Sequence, residues 1–326
     1  MKHNSSFSRF IIILSGPTGV GKTDFILRLA DSFPLEVINA DVGQLYTPLI
    51  IGTAKPDWRH EKVPHHLFDV IDEPASLTVT QYRNLVKPII EQCWQKNTIP
   101  VLVGGSLFYI QSLLFPPQEQ NSQQVSEQDY SLEGNLWQKL QEIDPERAKA
   151  LHHNDTYRLQ RALHIWHETG IKPSLQKPLY NPLAPYLFLY CTRERNDLYA
   201  RINERVTSMI QAGWLEETSV LLDTPWQDFL LKKKIIGYDD ILHYFLQHSR
   251  DKESLIALIA KKTRNYAKRQ ETFWRGLEKK LSEYNSPDAN KLPKIDTLDL
   301  TLLDLDLYIK QLSVFITNLN KESESS

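Results

Sequence analysis

The sequence predicts an α/β fold, a parallel sheet flanked by helices and built around a phosphate-binding loop, with a helical insertion. Three observations carry that expectation. Gly16, Pro17, Thr18, Gly19, Val20, Gly21, Lys22 and Thr23 spell G-x-x-x-x-G-K-[ST]. The β-branched run from Phe10 to Ser15 precedes the motif, and Phe25, Ile26, Leu29, Ala30 and Phe33 follow it at helical spacing. This is the strand, loop and helix setting that the motif needs. A second such unit recurs where Ile99 to Val103 runs into Gly104, Gly105 and Ser106 and then Leu107, Phe108 and Tyr109.

The first unit carries its own chemistry. Glycines let backbone N–H groups close around an anion, and a helix N-terminus adds partial positive charge. Lys22 supplies a point cation, and the Thr23 hydroxyl can ligate Mg²⁺. Gly16 to Thr23 are therefore candidate diphosphate- or nucleotide-binding residues, with Thr23 the candidate metal ligand. The loop reads phosphate geometry without touching a base, so a nucleotide and any other diphosphate both stay open.

With 326 residues the chain is long enough for an α/β core and an added module. Its composition, 41% hydrophobic and 24% charged with net charge −2, is that of a globular protein. Cys93 and Cys191 are too few for a disulfide framework or a cysteine zinc site. The apolar run before the loop is too short for a signal peptide or a membrane span, so a cytoplasmic protein is expected. The charge is unevenly spread. Between Lys261 and Lys280 eight basic residues face Glu271 and Glu278, whereas from Leu281 to Ser326 eight acids face four bases. A basic helix beside an acidic tail says more than the sum.

In chain order, Leu35 to Ala40 reads as a second strand ending at Asp41. Ligands of parallel sheets bind at strand carboxyl ends, so Asp41 is a site residue by position. His65 and His66 lack an evident third ligand, and hydrogen-bonding roles are expected for them. Thr78 to Trp94 reads as an amphipathic helix that Pro88 kinks or interrupts. Ser106 either faces the same crevice as Asp41 or marks close packing alone. From Pro116 the composition shifts, and the Gln- and Ser-rich stretch 118–130 opens an inserted segment. Helices are expected over Leu136 to Leu151 and Asp155 to Glu168, the second carrying Arg158 and Arg161 and stopped by Gly170. The strand Tyr186 to Cys191 follows. Next, a helix from Asp197 to Ala212 sets Arg201 and Arg205 one turn apart, either converging on an anion or lying solvated at the surface. Ile259 to Trp274 interleaves Tyr266, Phe273 and Trp274 with basic residues, which suits a nucleic-acid backbone and a stackable base. A plain solvated helix is the other reading. Beyond Leu281, alternating leucines have no functional explanation.

Several of these stretches together resemble the tRNA dimethylallyltransferases. The matching pieces are GPTGVGKTD, NADVGQLY, IGTAKP, VPHHLFD, LVGGSLFY, DPERAKALHHNDTYRLQRAL, HETG, RINERV, IIGY and KRQETFWR, in the family's order over roughly residues 10 to 280. The resemblance implies a P-loop NTPase-like fold with an inserted helical tRNA-binding domain. It implies transfer of a dimethylallyl group from dimethylallyl diphosphate to the N6 amine of adenosine 37 in the tRNA anticodon loop, with Mg²⁺. Asp41 then matches the general base, Lys22 and Thr23 the diphosphate and Mg²⁺ contacts, and Arg205 the leaving-group arginine. Asp41, Val42, Gly43, Gln44, Ser106, Tyr157, Arg158, Leu159, Gln160, Arg161, Lys268, Arg269, Gln270 and Arg275 match tRNA-contacting positions. Leu45 and Tyr46 are candidates for the dimethylallyl pocket. The implied organisation is a catalytic core over 1–117 and 186–282, the insertion over 118–185 and an acidic tail over 283–326, in a monomer without a membrane partner. Val42 and Asn39 stand where serine is common, and Asp239 where lysine or arginine is common. No arginine aligns early in the insertion, within 118–130. A small-metabolite P-loop kinase and an inactive tRNA-binding protein are the alternative functions.

Overall fold

The computed structural model describes residues 9–117, 135–176, 178–248, 251–288 and 290–324; the Gln-rich stretch 118–130 lies outside them. Six strands are described: β1 (Ile11–Ser15), β2 (Leu35–Asn39), β3 (His65–His66), β4 (Ile99–Gly104), β5 (Tyr186–Thr192) and β6 (Lys294–Asp299). They form one sheet in the order β3-β2-β4-β1-β5-β6, each neighbouring pair parallel. Every residue of β1 is buried, as its unbroken apolar run requires of a central parallel strand. Ser15 aligns with Gly104 and Tyr190, and Asn39 with Val103. The phosphate loop, Asp41 and the Gly104-Gly105 turn therefore leave the sheet at one edge. Gly104 has no room for a side chain there, because a Cβ would lie 2.1 Å from the Ala40 backbone.

Three helices accompany the first strands: α1 (Lys22–Ala30), α2 (Val79–Gln95) and α3 (Leu107–Leu114). Thr78 and Gln81 close a capping box at the start of α2. Pro88 does not end that helix. It lies on the exposed face, where the carbonyl left without a partner is open to water.

The chain divides into two compact units, Leu114–Pro182 and the remainder. The smaller one contains α4 (Leu136–Ile143), α5 (Pro145–Lys149) and α6 (Thr156–Thr169) around Leu140, Ala148, Leu151, Leu159, Ala162 and Leu163. The single helix expected over Leu136 to Leu151 is broken at Asp144. Pro145 cannot continue a helix but suits the first turn of a new one, and the Asp144 carboxylate caps it by accepting from the Arg147 N–H.

In the larger unit, α7 (Arg195–Gln211), α8 (Trp214–Ser219), α9 (Pro225–Lys233), α10 (Tyr238–Leu246) and α11 (Lys252–Leu281) follow β5. They enclose a second core that includes Val206, Trp214, Leu230, Tyr238 and Ile259. The last segment is structural cover. Its β6 extends the sheet beside β5, and α12 (Leu305–Glu324) packs on α1, burying Leu298, Leu312 and Ile316 in the main core. Asp306 pairs with Arg28 at 2.8 Å. Of the alternating leucines, Leu298, Leu300 and Leu305 belong to this packing while Leu302 and Leu307 lie exposed, and Ile316, fully buried, tests it. Ile316→Ala should cost about 2–5 kcal/mol, read as a lower thermal midpoint in scanning calorimetry; an unchanged midpoint would show that the cover adds nothing.

Candidate active site

Between β1 and α1 the chain turns through glycines with positive φ, 82° at Gly19 and 113° at Gly21, a region that side chains disfavour. The loop's carbonyls are held by side chains. Lys22 Nζ donates to the Gly16 and Pro17 carbonyls at 2.9 and 3.0 Å, Arg201 Nε to Gly19 at 3.0 Å and Arg193 Nε to Val20 at 3.1 Å. Gln270 of α11 ties the loop to the β4 turn, accepting from Thr18 N–H at 3.0 Å and donating to the Gly105 carbonyl at 2.8 Å. With Thr18 N–H held by Gln270 and Val20 N–H by the Pro17 carbonyl, the start of α1 beside Lys22 is the part of the loop turned to an anion.

Asp41 sits two residues beyond the end of β2 and caps the short turn Val42–Leu45, its carboxylate accepting from Gly43 N–H at 3.2 Å. Asn39, fully buried, sets its backbone: Oδ1 accepts from Asp41 N–H at 2.8 Å while Nδ2 donates to the Asp41 and Leu67 carbonyls. Ser106 Oγ accepts from Val42 N–H at 3.1 Å, so the second glycine turn supports the turn bearing Asp41.

Lys22, Thr23, Asp41, Arg201 and Arg205 line one cavity of about 590 Å³, a size suited to a small ligand. Withdrawal from water dominates the electrostatics there. It lowers Lys22 to about 8, against the attraction of Asp41 and with added repulsion from Arg205. It raises the Asp41 carboxyl above its ordinary value, although Lys22, the Gly43 N–H and Arg205 all favour the charged form. Arg205 is lowered too, burial outweighing Asp41. Thr23 and Asp24 bring a hydroxyl and a carboxylate to the same wall. The Asp24 carboxylate is paired with Arg28 at 3.3 Å, which leaves the Thr23 hydroxyl as the oxygen that would hold a hard divalent cation such as Mg²⁺.

Thr18, Gly19, Gly21 and Gln44 also line the cavity, as does Gln270 beside its tie to the loop, whereas Gly16, Pro17 and Val20 are buried beneath it. Lys268, Arg269 and Arg275 lie exposed along α11, and Tyr157, Arg158, Gln160 and Arg161 lie exposed on α6. Leu159 is a core residue of the smaller unit. Trp274 is no stacking platform, because it is buried against Tyr190 of β5 with rings 4.2 Å apart and nearly parallel. Leu45 and Tyr46 are buried, Tyr46 against Trp226 and Phe229, and the cavity's apolar lining is instead Ile26, Val37 and Val103 together with a wall of Thr53, Ala54, Pro56 and Phe68. These wall residues were missed by reading along the chain, although IGTAKP and VPHHLFD contain them. Asp239 is buried, and Lys262 bridges it and Asp240 at 3.1 and 2.5 Å, so the acid where a base is common belongs to internal packing. His66 pairs with Glu36 at 2.7 Å. Glu36, His66 and Cys93 place donors within 4.8 Å of one another, but Lys96 and Thr98 also hold the Glu36 carboxylate.

A phosphate loop facing a strand-end carboxylate across a shared cavity defines a P-loop α/β enzyme of group transfer. Residues 44–277 match the IPP transferase family. The tRNA dimethylallyltransferase of Alkaliphilus metalliredigens is 37% identical over 303 residues, 88% of this chain and 95% of that one. That of Thermotoga neapolitana is 35% identical over 274 residues, 82% and 89% of the two chains. The full-length tRNA isopentenylpyrophosphate transferase of Bacillus halodurans aligns with a TM-score of 0.64 at 30% identity, covering 98% of this chain and 99% of its own. A eukaryotic dimethylallyltransferase solved acting on tRNA gives 0.71 at 25% identity, covering 95% and 80%. The chain belongs to the tRNA dimethylallyltransferase family, whose relatives are prenyltransferases.

The lowered Lys22 has a direct consequence. A diphosphate prefers the charged lysine, which is lost as pH rises through about 8 rather than near 10.5. Inorganic pyrophosphate affinity should therefore fall by about tenfold per pH unit above that point, and Lys22→Arg should flatten the dependence. Titration calorimetry between pH 7 and 10 checks this; affinity constant to pH 10 in the unaltered protein would contradict it.

Proposed function

We propose that this protein transfers a dimethylallyl group from dimethylallyl diphosphate to the exocyclic N6 amine of adenosine 37 in the tRNA anticodon loop, releasing diphosphate. The observation that carries the reading is the meeting of Asp41, Lys22 and Arg205 at one cavity. In the reaction the N6 nitrogen forms a bond to the first carbon of the prenyl group, the bond from that carbon to the diphosphate oxygen breaks, and N6 gives up a proton. An aromatic amine is a poor nucleophile, and Asp41 takes the proton. Its raised pKa makes it a stronger base than an ordinary carboxylate, while the neighbouring cations keep it ionised. Lys22, Arg205 and the loop N–H groups meet the charge that develops on the departing diphosphate, and such preorganised charge is commonly the largest catalytic contribution. Mg²⁺ held by Thr23 and the diphosphate would add further neutralisation there.

The acceptor base has to leave its stack to reach Asp41. The exposed bases of α11, Lys268, Arg269 and Arg275, suit the phosphates of the anticodon stem-loop, as do Arg158 and Arg161 beside Tyr157 and Gln160 on α6. Among the described residues no helix is long and apolar enough to cross a membrane. A monomer acting in the cytoplasm is the state we assign. A kinase would need an adenine-binding segment, which the sequence does not offer, and an inactive binder has no use for the assembled charge.

Incubation with unmodified tRNA, Mg²⁺ and dimethylallyl diphosphate, followed by mass analysis of digested nucleosides, should show adenosine heavier by one C₅H₈ unit. Asp41→Asn should slow the single turnover by about 10²- to 10⁴-fold and leave tRNA affinity within a few fold. Binding of tRNA without any modified adenosine would overturn the assignment, and equal loss of binding and turnover in the variant would overturn the role of Asp41.

A further inference from the structure

Two motifs of the sequence, IGTAKP and IIGY, have no part in the chemistry above, yet they meet at one side chain. Glu217 of α8 accepts from Ile51 N–H at 2.7 Å and Ile50 N–H at 3.2 Å through Oε2. Its Oε1 accepts from Gly52 N–H at 3.3 Å and from the Tyr238 hydroxyl at 2.5 Å. Tyr238 is fully buried, and the adjacent carboxylate together with burial pushes its hydroxyl well above the ordinary phenol range, so it stays a donor. Trp214, one turn before Glu217, fills the space beneath. A Cβ on Gly52 would lie 2.1 Å from its ring and one on Gly237 2.0 Å, so both glycines are spaces cut for that indole.

The consequence lies on the far side of the loop. Directly after Gly52, Thr53, Ala54 and Pro56 line the cavity. Thr53 and Ala54 give their carbonyls to Gln44 Nε2 at 3.0 and 3.2 Å, and the Thr53 methyl closes on Gly43, whose N–H holds Asp41. The cations of the cavity come from α1 and α7, whereas this loop offers methyl and methylene groups.

We propose that Glu217 is a positioning residue: by clamping Ile50 to Gly52 it fixes the wall against which the hydrocarbon tail of the prenyl donor packs. The inference rests on the function proposed above. A carboxylate suits four donors, with charge-assisted hydrogen bonds stronger than neutral ones. An amide in its place turns an N–H₂ group toward backbone N–H groups that have no other acceptor at that point. The phosphate loop makes none of these contacts, so tail binding and diphosphate binding should separate.

The test is titration calorimetry of the full chain with two probes, dimethylallyl diphosphate and inorganic pyrophosphate, on the unaltered protein, Glu217→Gln and Tyr238→Phe. Glu217→Gln should weaken the prenyl diphosphate by about tenfold and leave pyrophosphate within about twofold. Tyr238→Phe keeps the ring against Trp214 and removes one donor, so it should shift the same ratio in the same direction by a smaller factor. Equal weakening of both probes would mean general damage and overturn the clamp, as would an unchanged ratio in both variants. An unaltered protein that binds pyrophosphate but not the prenyl diphosphate would instead overturn the proposed function, and the clamp's purpose with it.

Discussion

Everything at the sheet edge depends on holding Lys22, Arg205 and Asp41, each half-buried, together at one cavity. The cavity brings Lys22, Arg201 and Arg205 together with Asp24, Asp41 and Glu204, and loss of hydration disfavours the charged form of Lys22, Arg205 and Asp41, which is why lysine and arginine are pulled down and the carboxyl up. Burial of charge is costly unless something compensates it. Here each group offsets another, and Lys22, at the start of α1, and Arg205, on the same cavity, suit an anion there. In the proposed reaction the carboxylate is a base of raised strength set beside the cations that would receive the leaving group.

The scaffold supplies rigidity where this arrangement needs it. Asn39 and Ser106, on neighbouring strand ends, fix the Asp41 turn from two sides. Gln270 fixes the phosphate loop from a helix 252 positions away in sequence. Helix α11 thus has two faces with different tasks. Ala267, Gln270, Trp274 and Leu277 are buried toward the sheet and loop, while Lys268, Arg269 and Arg275 look outward. A polyanion on the outer face would rest on the helix that braces the phosphate site.

Much of this was legible in the sequence because it is local. The phosphate loop reads from eight consecutive residues. Asp41 reads from its place after a strand, and the pair Arg201 and Arg205 from helical spacing. The insertion announced itself by a change in composition, and the break at Pro145 was in principle readable from proline chemistry. What stayed hidden is non-local. Trp274 looked like a base-stacking residue because periodicity does not say which helix face meets the sheet. Leu45 and Tyr46 looked like a pocket wall although both are buried, Tyr46 in a core formed by helices much later in the chain. The leucines of the last segment made no sense until β6 paired with β5 and α12 covered α1. Glu217 carried no local signal, since its partners at Ile50 to Gly52 and Tyr238 lie in separate motifs.

The most direct measurement of the central claim is the pH profile of kcat/KM for prenyl transfer, which reports the groups of the free enzyme. In the proposed reaction, activity needs Asp41 ionised and Lys22 charged. It should rise on the acid side through a value above the ordinary carboxylate 3.8 and fall on the alkaline side near 8. An acid limb at the ordinary carboxylate value with a plateau through pH 9 would contradict it, because the groups would then be solvated independently and not held as one cluster.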